Sequence, residues 1–187
     1  MNIIIFGPPG AGKGTQAKNL VNKLNSFQVS TGDMLREEIN KDTDIGKRII
    51  NNMNNGRFVE DEIVNKLLEK IIFDKHNINK LIFDGYPRTI NQAKNLDILL
   101  KKSNQKIDHV FFLNVDKDSI LKRIEKRKIL EKRSDDDSTT LLKRYDTYME
   151  ITKPVLDYYS KNKNFHEVDG SMKINDISQK IEEILGV

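Results

Sequence analysis

GPPGAGKGTQ, residues 7–16, follows directly on the apolar run NIIIF at residues 2–6, and this succession decides the fold. A short β-branched run that ends at glycine reads as a buried, central parallel strand. From Lys13 onward Ala17, Leu20, Val21 and Leu24 recur three and four residues apart, which puts them on one helical face. Strand, glycine loop and helix in that order are the setting of the phosphate-binding pattern G-x-x-x-x-G-K-[ST]. Gly7, Gly12 and Lys13 match it, whereas Gly14 stands where the hydroxyl belongs and Thr15 comes one position late.

Alone, G-x-x-x-x-G-K arises by accident in roughly one chain in twenty of this length on average composition. With Pro9, Gly10, Gly14 and Thr15 also fixed, the expectation falls to the order of one in a million. The glycines let backbone N–H groups turn inward around phosphate oxygens, and the helix N-terminus adds its partial positive charge. Lys13 supplies a mobile full charge. An exposed lysine at a helix start is the bland alternative, and it leaves the rest of the string unexplained.

Working outward, FQVS at 27–30, LIFDG at 81–85, HVFFLNV at 109–115 and FHEV at 165–168 read as further short strands. Helical periodicity fills the gaps. Ile63, Val64, Leu67, Leu68, Ile71 and Ile72 form one apolar stripe, and Ile174, Ile177, Ile181 and Ile184 form another; both are expected in the core. Alternating strands and helices predict an α/β domain whose mostly parallel sheet is covered on both faces. Ligands of such sheets bind at the carboxyl ends of the strands. Residues 30–59 break the alternation with polar helices and the loop NNMNNGRFV, which predicts a small helical excursion. Residues 126–137, KRKILEKRSDDD, carry no apolar stripe, and their plain reading is a solvated loop between two helices.

The chain has 187 residues, which suits a single core. It holds 32 Lys and Arg against 28 Asp and Glu, a net charge of +4, too even a balance to argue for a nucleic-acid coat. With no cysteine there is neither a disulfide framework nor a thiolate metal site, and a reducing, cytoplasmic compartment is expected. No apolar run approaches the roughly 18 residues of a membrane span, and a phosphate loop starting at residue 7 leaves no room for a signal peptide.

The string at residues 7–16 resembles the nucleoside monophosphate kinases, and within them the adenylate kinases, whose loop reads G-x-P-G-x-G-K-G-T. Gly14 is normal in that family. The resemblance implies a P-loop NTPase-type sheet carrying an NMP-binding segment at 30–59 and a short lid at 126–137, with the core formed by 1–29, 60–125 and 138–187. It assigns Gly10, Ala11, Gly12, Lys13, Gly14 and Thr15 to ATP, with Mg2+ held largely through water and nucleotide oxygens.

Phosphoryl transfer between two polyanions needs cations on both substrates and on the migrating group. Arginine suits this because its planar fork grips phosphate in a bidentate way and keeps its charge. STGDMLRE at 30–37 matches the family segment that receives AMP, which assigns Thr31 and Gly32 to the nucleotide and Arg36 to its phosphate; Ser30, Thr31 and Asp33 are also good helix caps. The stretch Arg57, Phe58 and Val59 belongs to the same AMP set. DGYPRTINQA at 84–93 sits at a strand's carboxyl end. There the resemblance gives Asp84 to Mg2+ through water, Gly85 and Arg88 to AMP and the transferred group, and Gln92 to the adenine edge. An amide's paired donor and acceptor complement adenine. Asp84-Gly85 read without the family is only a turn.

Arg123 and Arg127 lie four apart on a predicted helix and share a face. Resemblance assigns both to ATP, gives Arg133 and Arg144 to the phosphates, and has Asp135 and Asp136 support the lid. Met172, in VDGSM at 168–172, matches the stretch against the ATP adenine. Two departures stand out: Glu60 replaces the usual proline after NNGRFV, and Tyr86 replaces a common phenylalanine.

The implied activity is reversible transfer from ATP to AMP, giving two ADP, with Lys13, Arg88, Arg123, Arg133 and Arg144 as the catalytic cations. Expected partners are the nucleotides alone, with no zinc, nucleic acid or membrane, for a monomer. A UMP or CMP kinase is the nearest alternative. Pyrimidine-specific relatives tend to carry alanine at the position of Thr31 and to lack the glutamine seen as Gln92. A non-catalytic nucleotide switch or an RNA-associated protein would leave the acceptor-side arginines unexplained.

Overall fold

The structure, a computed structural model, describes residues 1–131 and 138–187. The described residues form one parallel sheet of five strands: β1 (Ile3–Phe6), β2 (Phe27–Ser30), β3 (Leu81–Asp84), β4 (His109–Asn114) and β5 (Phe165–Asp169). Their order is β2-β3-β1-β4-β5, with every neighbouring pair parallel. The phosphate-loop strand β1 is therefore central, and all four of its residues are buried. Such an unbroken apolar run is what a strand covered on both faces requires.

The sheet's two faces carry two separate cores. On one face Ile4 and Phe6 pack with α4 (Asp61–Ile72), α5 (Ile90–Lys102) and α8 (Lys153–Ser160). On the other, Ile3 and Ile5 pack with α1 (Lys13–Leu24), α6 (Lys117–Glu131) and α9 (Ile174–Leu185). Alternate residues of one strand thus feed opposite cores, as the two-residue period demands. Asn2, fully buried, ties the strand starts together: its Nδ2 donates to Gln105 Oε1 and Lys106 O, and its Oδ1 accepts from Leu81 N.

The stripe on α4 behaves as its spacing predicts, with Ile63, Val64, Leu68 and Ile72 buried. On α9 only part of it does. Ile177 and Ile181 are buried, but Ile174 is 56% exposed at the helix start, so the first member of that stripe is a surface residue beside the nucleotide cleft. Its carbonyl accepts from Gln16 Nε2, and Ser178 Oγ donates to Gln16 Oε1, which fixes α9 to α1.

Residues 30–59 hold α2 (Thr31–Asn40) and α3 (Asp44–Asn54). The loop expected at NNMNNGRFV is shorter than predicted, because α3 continues through Asn54. Thr43 caps it by accepting from Gly46 N, and Met53 packs on the core, so burial outweighs the weak helix propensity of the asparagines. Similarly, α6 runs to Glu131, where the sequence read as loop from residue 126, and α7 (Ser138–Thr147) resumes after the undescribed stretch. A π-helical turn at Tyr148–Thr152 links α7 to α8.

Candidate active site

The carboxyl end of β1 opens into the glycine loop. Gly10 has φ +83°, and a Cβ there would come within 2.7 Å of Ile124 Cδ1 on α6, so both backbone and space demand glycine. Gly12, also left-handed, precedes α1, whose first turn has no side-chain cap and no acidic residue. That combination leaves the helix start electropositive. Lys13 Nζ folds back to donate to Gly7 O at 2.9 Å and Pro8 O at 3.0 Å, which holds the ammonium over the loop.

Register brings the second loop alongside. Asp84 pairs with Ile5 of β1 on one side and Ser30 of β2 on the other. Its carboxylate accepts from Gln28 Nε2 at 3.2 Å. Gly85 O accepts from Thr31 Oγ1 at 3.0 Å and from Arg88 Nε at 2.7 Å, so one carbonyl orients two site residues. Arg88 lies over the Phe58 ring, 5.4 Å from its centroid, a cation–π contact that aligns the guanidinium. Ser30 Oγ accepts from Asp33 N, so STGDMLRE is a capped helix start as well as a cleft wall, and Arg36 pairs with Asp33 at 2.5 Å.

On the other flank, Arg123 donates from Nη1 to Ala11 O and from Nη2 to Ser171 O, each at 3.3 Å. It thereby bridges the glycine loop to the turn before α9. That turn is held by Asp169, whose carboxyl sits below its usual range because the Ser171 hydroxyl and amide both donate to it, with Arg123 adding to the effect. Arg144 of α7 packs against Gly56, where a Cβ would stand 3.0 Å from its Cγ. Thr140 Oγ1 donates to Asn54 O, so α7 rests on the end of α3.

These groups surround a cleft of about 660 Å3, within the range of small-molecule sites. Residues Gly10 through Thr15, Gly32, Arg36, Asp84, Gly85, Arg88, Arg123, Arg144 and Met172 all line it. A smaller inner recess of about 100 Å3 adds Phe58 and Val59 and shares Lys13, Gly32, Arg36, Gly85, Arg88 and Arg144 with the main cleft.

Other predicted residues stand apart. Thr31 is buried behind Gly85, and Arg57 points to solvent, lining neither cavity. Gln92 is buried with its amide engaged by the protein: Oε1 accepts from Arg88 N at 2.7 Å and Nε2 donates to Asp61 Oδ1 at 2.5 Å. Arg127 lies on α6 as predicted, though its side chain, like Arg133, Asp135 and Asp136, is outside the described residues.

Sequence reasoning missed Gln28, Asp61, Tyr148 and Thr152. Gln28 and Asp61 carry no motif of their own; Gln28 sits within β2 and reaches Asp84 only through the strand register, and Asp61 stands at the start of α4. Tyr148 and Thr152 line the inner recess from the π-helical turn. Burial raises the Tyr148 hydroxyl's pKa, and the group has no hydrogen-bond partner among the described residues.

Similar proteins agree with this geometry. A family model described as adenylate kinase matches residues 5–164. An adenylate kinase of Pelagibacter ubique is 48% identical over 213 aligned positions that cover the whole of both chains. Adenylate kinases of Mycoplasma capricolum and Bartonella henselae are 43% and 42% identical, covering 90% and 99% of this chain and 91% and 100% of their own. A central β1 feeding a glycine loop, arginines converging from three directions and matches along nearly the full length lead to one assignment: the chain belongs to the adenylate kinase family.

Proposed function

We propose that this cleft catalyses reversible phosphoryl transfer from ATP to AMP, giving two ADP, with residues 7–15 as the donor side and the Arg36–Arg88 recess as the acceptor side. The observation that carries the reading is the shared wall: Lys13, Arg36, Arg88 and Arg144 line both the main cleft and the inner recess. Two phosphate chains entering from the two sides would meet among these cations.

Because the acceptor phosphate is already anionic, no general base is needed. The chemistry is in-line positioning with charge spread over fixed cations. Lys13 and Arg123 hold the donor phosphates against the loop, while Arg36 and Arg88 hold the acceptor. Arg144 serves the migrating group, with Arg133 in the same role from residues 126–137, the short lid. Asp135 and Asp136 support those arginines, Arg127 assists at ATP and Met172 lies against its adenine. Thr31, Gly32, Arg57, Phe58, Val59 and Gly85 complete the AMP side, and Gln92 reads its base.

The donor set fits Mg2+, which prefers hard oxygen and keeps most of its waters: Asp84 offers a single carboxylate into the cleft, close to the loop. Bound with ATP, the ion would neutralise phosphate charge, and Asp84 would hold it through water. Residues 30–59 and 126–137 would close over the nucleotides and exclude water. With no cysteine in the chain, the lid has no thiolate with which to hold zinc, which supports a metal-free lid. No described helix is long and apolar enough to cross a membrane. We further read the protein as a cytoplasmic monomer acting on nucleotides alone; the lack of cysteine is compatible with the reducing compartment.

The test is turnover of ATP with AMP, UMP, CMP and GMP in parallel, on wild type and Arg88→Ala. AMP should be preferred, and Arg88→Ala should lose on the order of a hundredfold, as for comparable electrostatic groups. Strong activity with UMP and none with AMP would overturn the substrate; near-full turnover by Arg88→Ala would overturn the role of that arginine.

A further inference from the structure

A glutamine amide has nearly the same shape in either orientation, so its direction is fixed only by its partners. Gln92 has partners that work one way. The backbone N–H of Arg88 can only donate, and it meets Oε1 at 2.7 Å; the Asp61 carboxylate accepts from Nε2 at 2.5 Å. Turning the amide over would set N–H against N–H and oxygen against oxygen. Gln92 is 3% exposed, so water cannot repair the mismatch. Its backbone is pinned too, since Gln92 N donates to Thr89 Oγ1.

Each amide atom keeps one valence beyond these bonds, a lone pair on oxygen and one N–H on nitrogen. That pair complements adenine, whose 6-amino group donates and whose N1 accepts. A 6-oxopurine presents the reverse, an acceptor at O6 and a donor at N1. A freely turning amide could serve both bases by flipping; a locked one serves only the first.

We propose that Asp61 is a specificity-determining positioning residue: by holding the direction of the Gln92 amide, it makes the acceptor site take a 6-aminopurine monophosphate and refuse a 6-oxopurine one. This rests on the reading that Gln92 meets the acceptor base. Asp61 is well sited for the task, two residues after Val59, which lines the inner recess with Arg88. The lock therefore joins the start of α4 to the start of α5.

The experiment uses Asp61→Asn, whose amide can either accept or donate, and compares kcat/KM for AMP and inosine monophosphate on one preparation. Inosine monophosphate differs at the two positions in question. The AMP preference should fall by about tenfold or more, the scale of a lost paired base contact, with turnover of inosine monophosphate rising. An unchanged ratio overturns the proposal, even if AMP turnover falls, because a merely structural role would lower both substrates alike. Gln92→Leu separates the two levels. A raised KM for AMP there, with an unchanged ratio in Asp61→Asn, removes the lock alone; an unchanged KM removes the base contact and the lock together.

Discussion

Gly14 and Asp84 face each other so closely that a Cβ on residue 14 would stand 3.2 Å from Asp84 Oδ2. The residue that looks like a defect in the phosphate loop is the one that makes room for the carboxylate of the neighbouring strand. A serine or threonine hydroxyl there would compete for the same space.

Gly14→Ala should therefore separate stability from activity. Alanine suits a helix better than glycine by roughly 0.5–1 kcal/mol, so the melting temperature should hold or rise. Turnover with ATP and AMP should fall about tenfold or more, because Asp84 must give way inside an electrostatic site. Calorimetry beside an activity assay checks both, and full activity in the alanine variant would mean that the close approach is idle.

Gln28 holds Asp84 by a single hydrogen bond. Gln28→Leu should raise the Mg2+ concentration for half-maximal activity by about tenfold, at the low end of losses seen when a supporting partner is removed. A Mg2+ titration at saturating nucleotide reads this directly. An unchanged midpoint would show that Asp84 is oriented by the strand alone.

Glu60 occupies the position before α4 with φ −52°, close to the value proline imposes, and its N–H takes no part in the backbone hydrogen bonds around that turn. Its carboxylate pairs with Arg48 at 3.1 Å, but both side chains are well exposed and such a pair contributes little. Glu60→Pro should accordingly stabilise the fold by up to about 1 kcal/mol through the unfolded chain. Denaturant unfolding would reveal it; a clear loss of stability would show that the Arg48 contact matters more than the backbone.

His109 and His166 meet on β4 and β5, Nδ1 to Nε2 at 3.3 Å, beside the Phe111 ring. Burial lowers both pKa values from 6.5; the Asp108 carboxylate opposes this at His109, the N-terminal ammonium reinforces it, and each imidazole faces the other. The unfolded chain therefore binds protons here more readily than the folded one. The pair's contribution is complete above pH 6.5 and is lost as pH falls through the lowered folded values. Melting temperatures at pH 7.5 and 5.5 should fall further for wild type than for His109→Gln/His166→Gln. Equal falls would assign the acid sensitivity to other groups.

Much of this was legible in the sequence because it is written in local pattern. Short runs rich in β-branched and aromatic residues, the first of them closed by glycine, located all five strands, and the loop motif located the cleft. What escaped depends on the third dimension. The asparagines of α3 look like loop until Met53 and the Thr43 cap are seen to hold them. Ile174 counts toward a stripe by spacing, yet at the start of α9 it is exposed and lines the cleft. Gln28 and Asp61 are ordinary residues until parallel register and a buried amide give each a partner from a distant stretch of chain.

The register of β1 against β3 has one further consequence. Ile5 stands opposite Asp84, so the two loops that face each other across the cleft spring from hydrogen-bonded neighbours about 4.8 Å apart. The spacing between them is a property of the stiffest part of the molecule. Changes in α2 and α3, which lie outside the sheet, can then reshape the wall of the cleft while the ruler on which the reaction is measured stays the same.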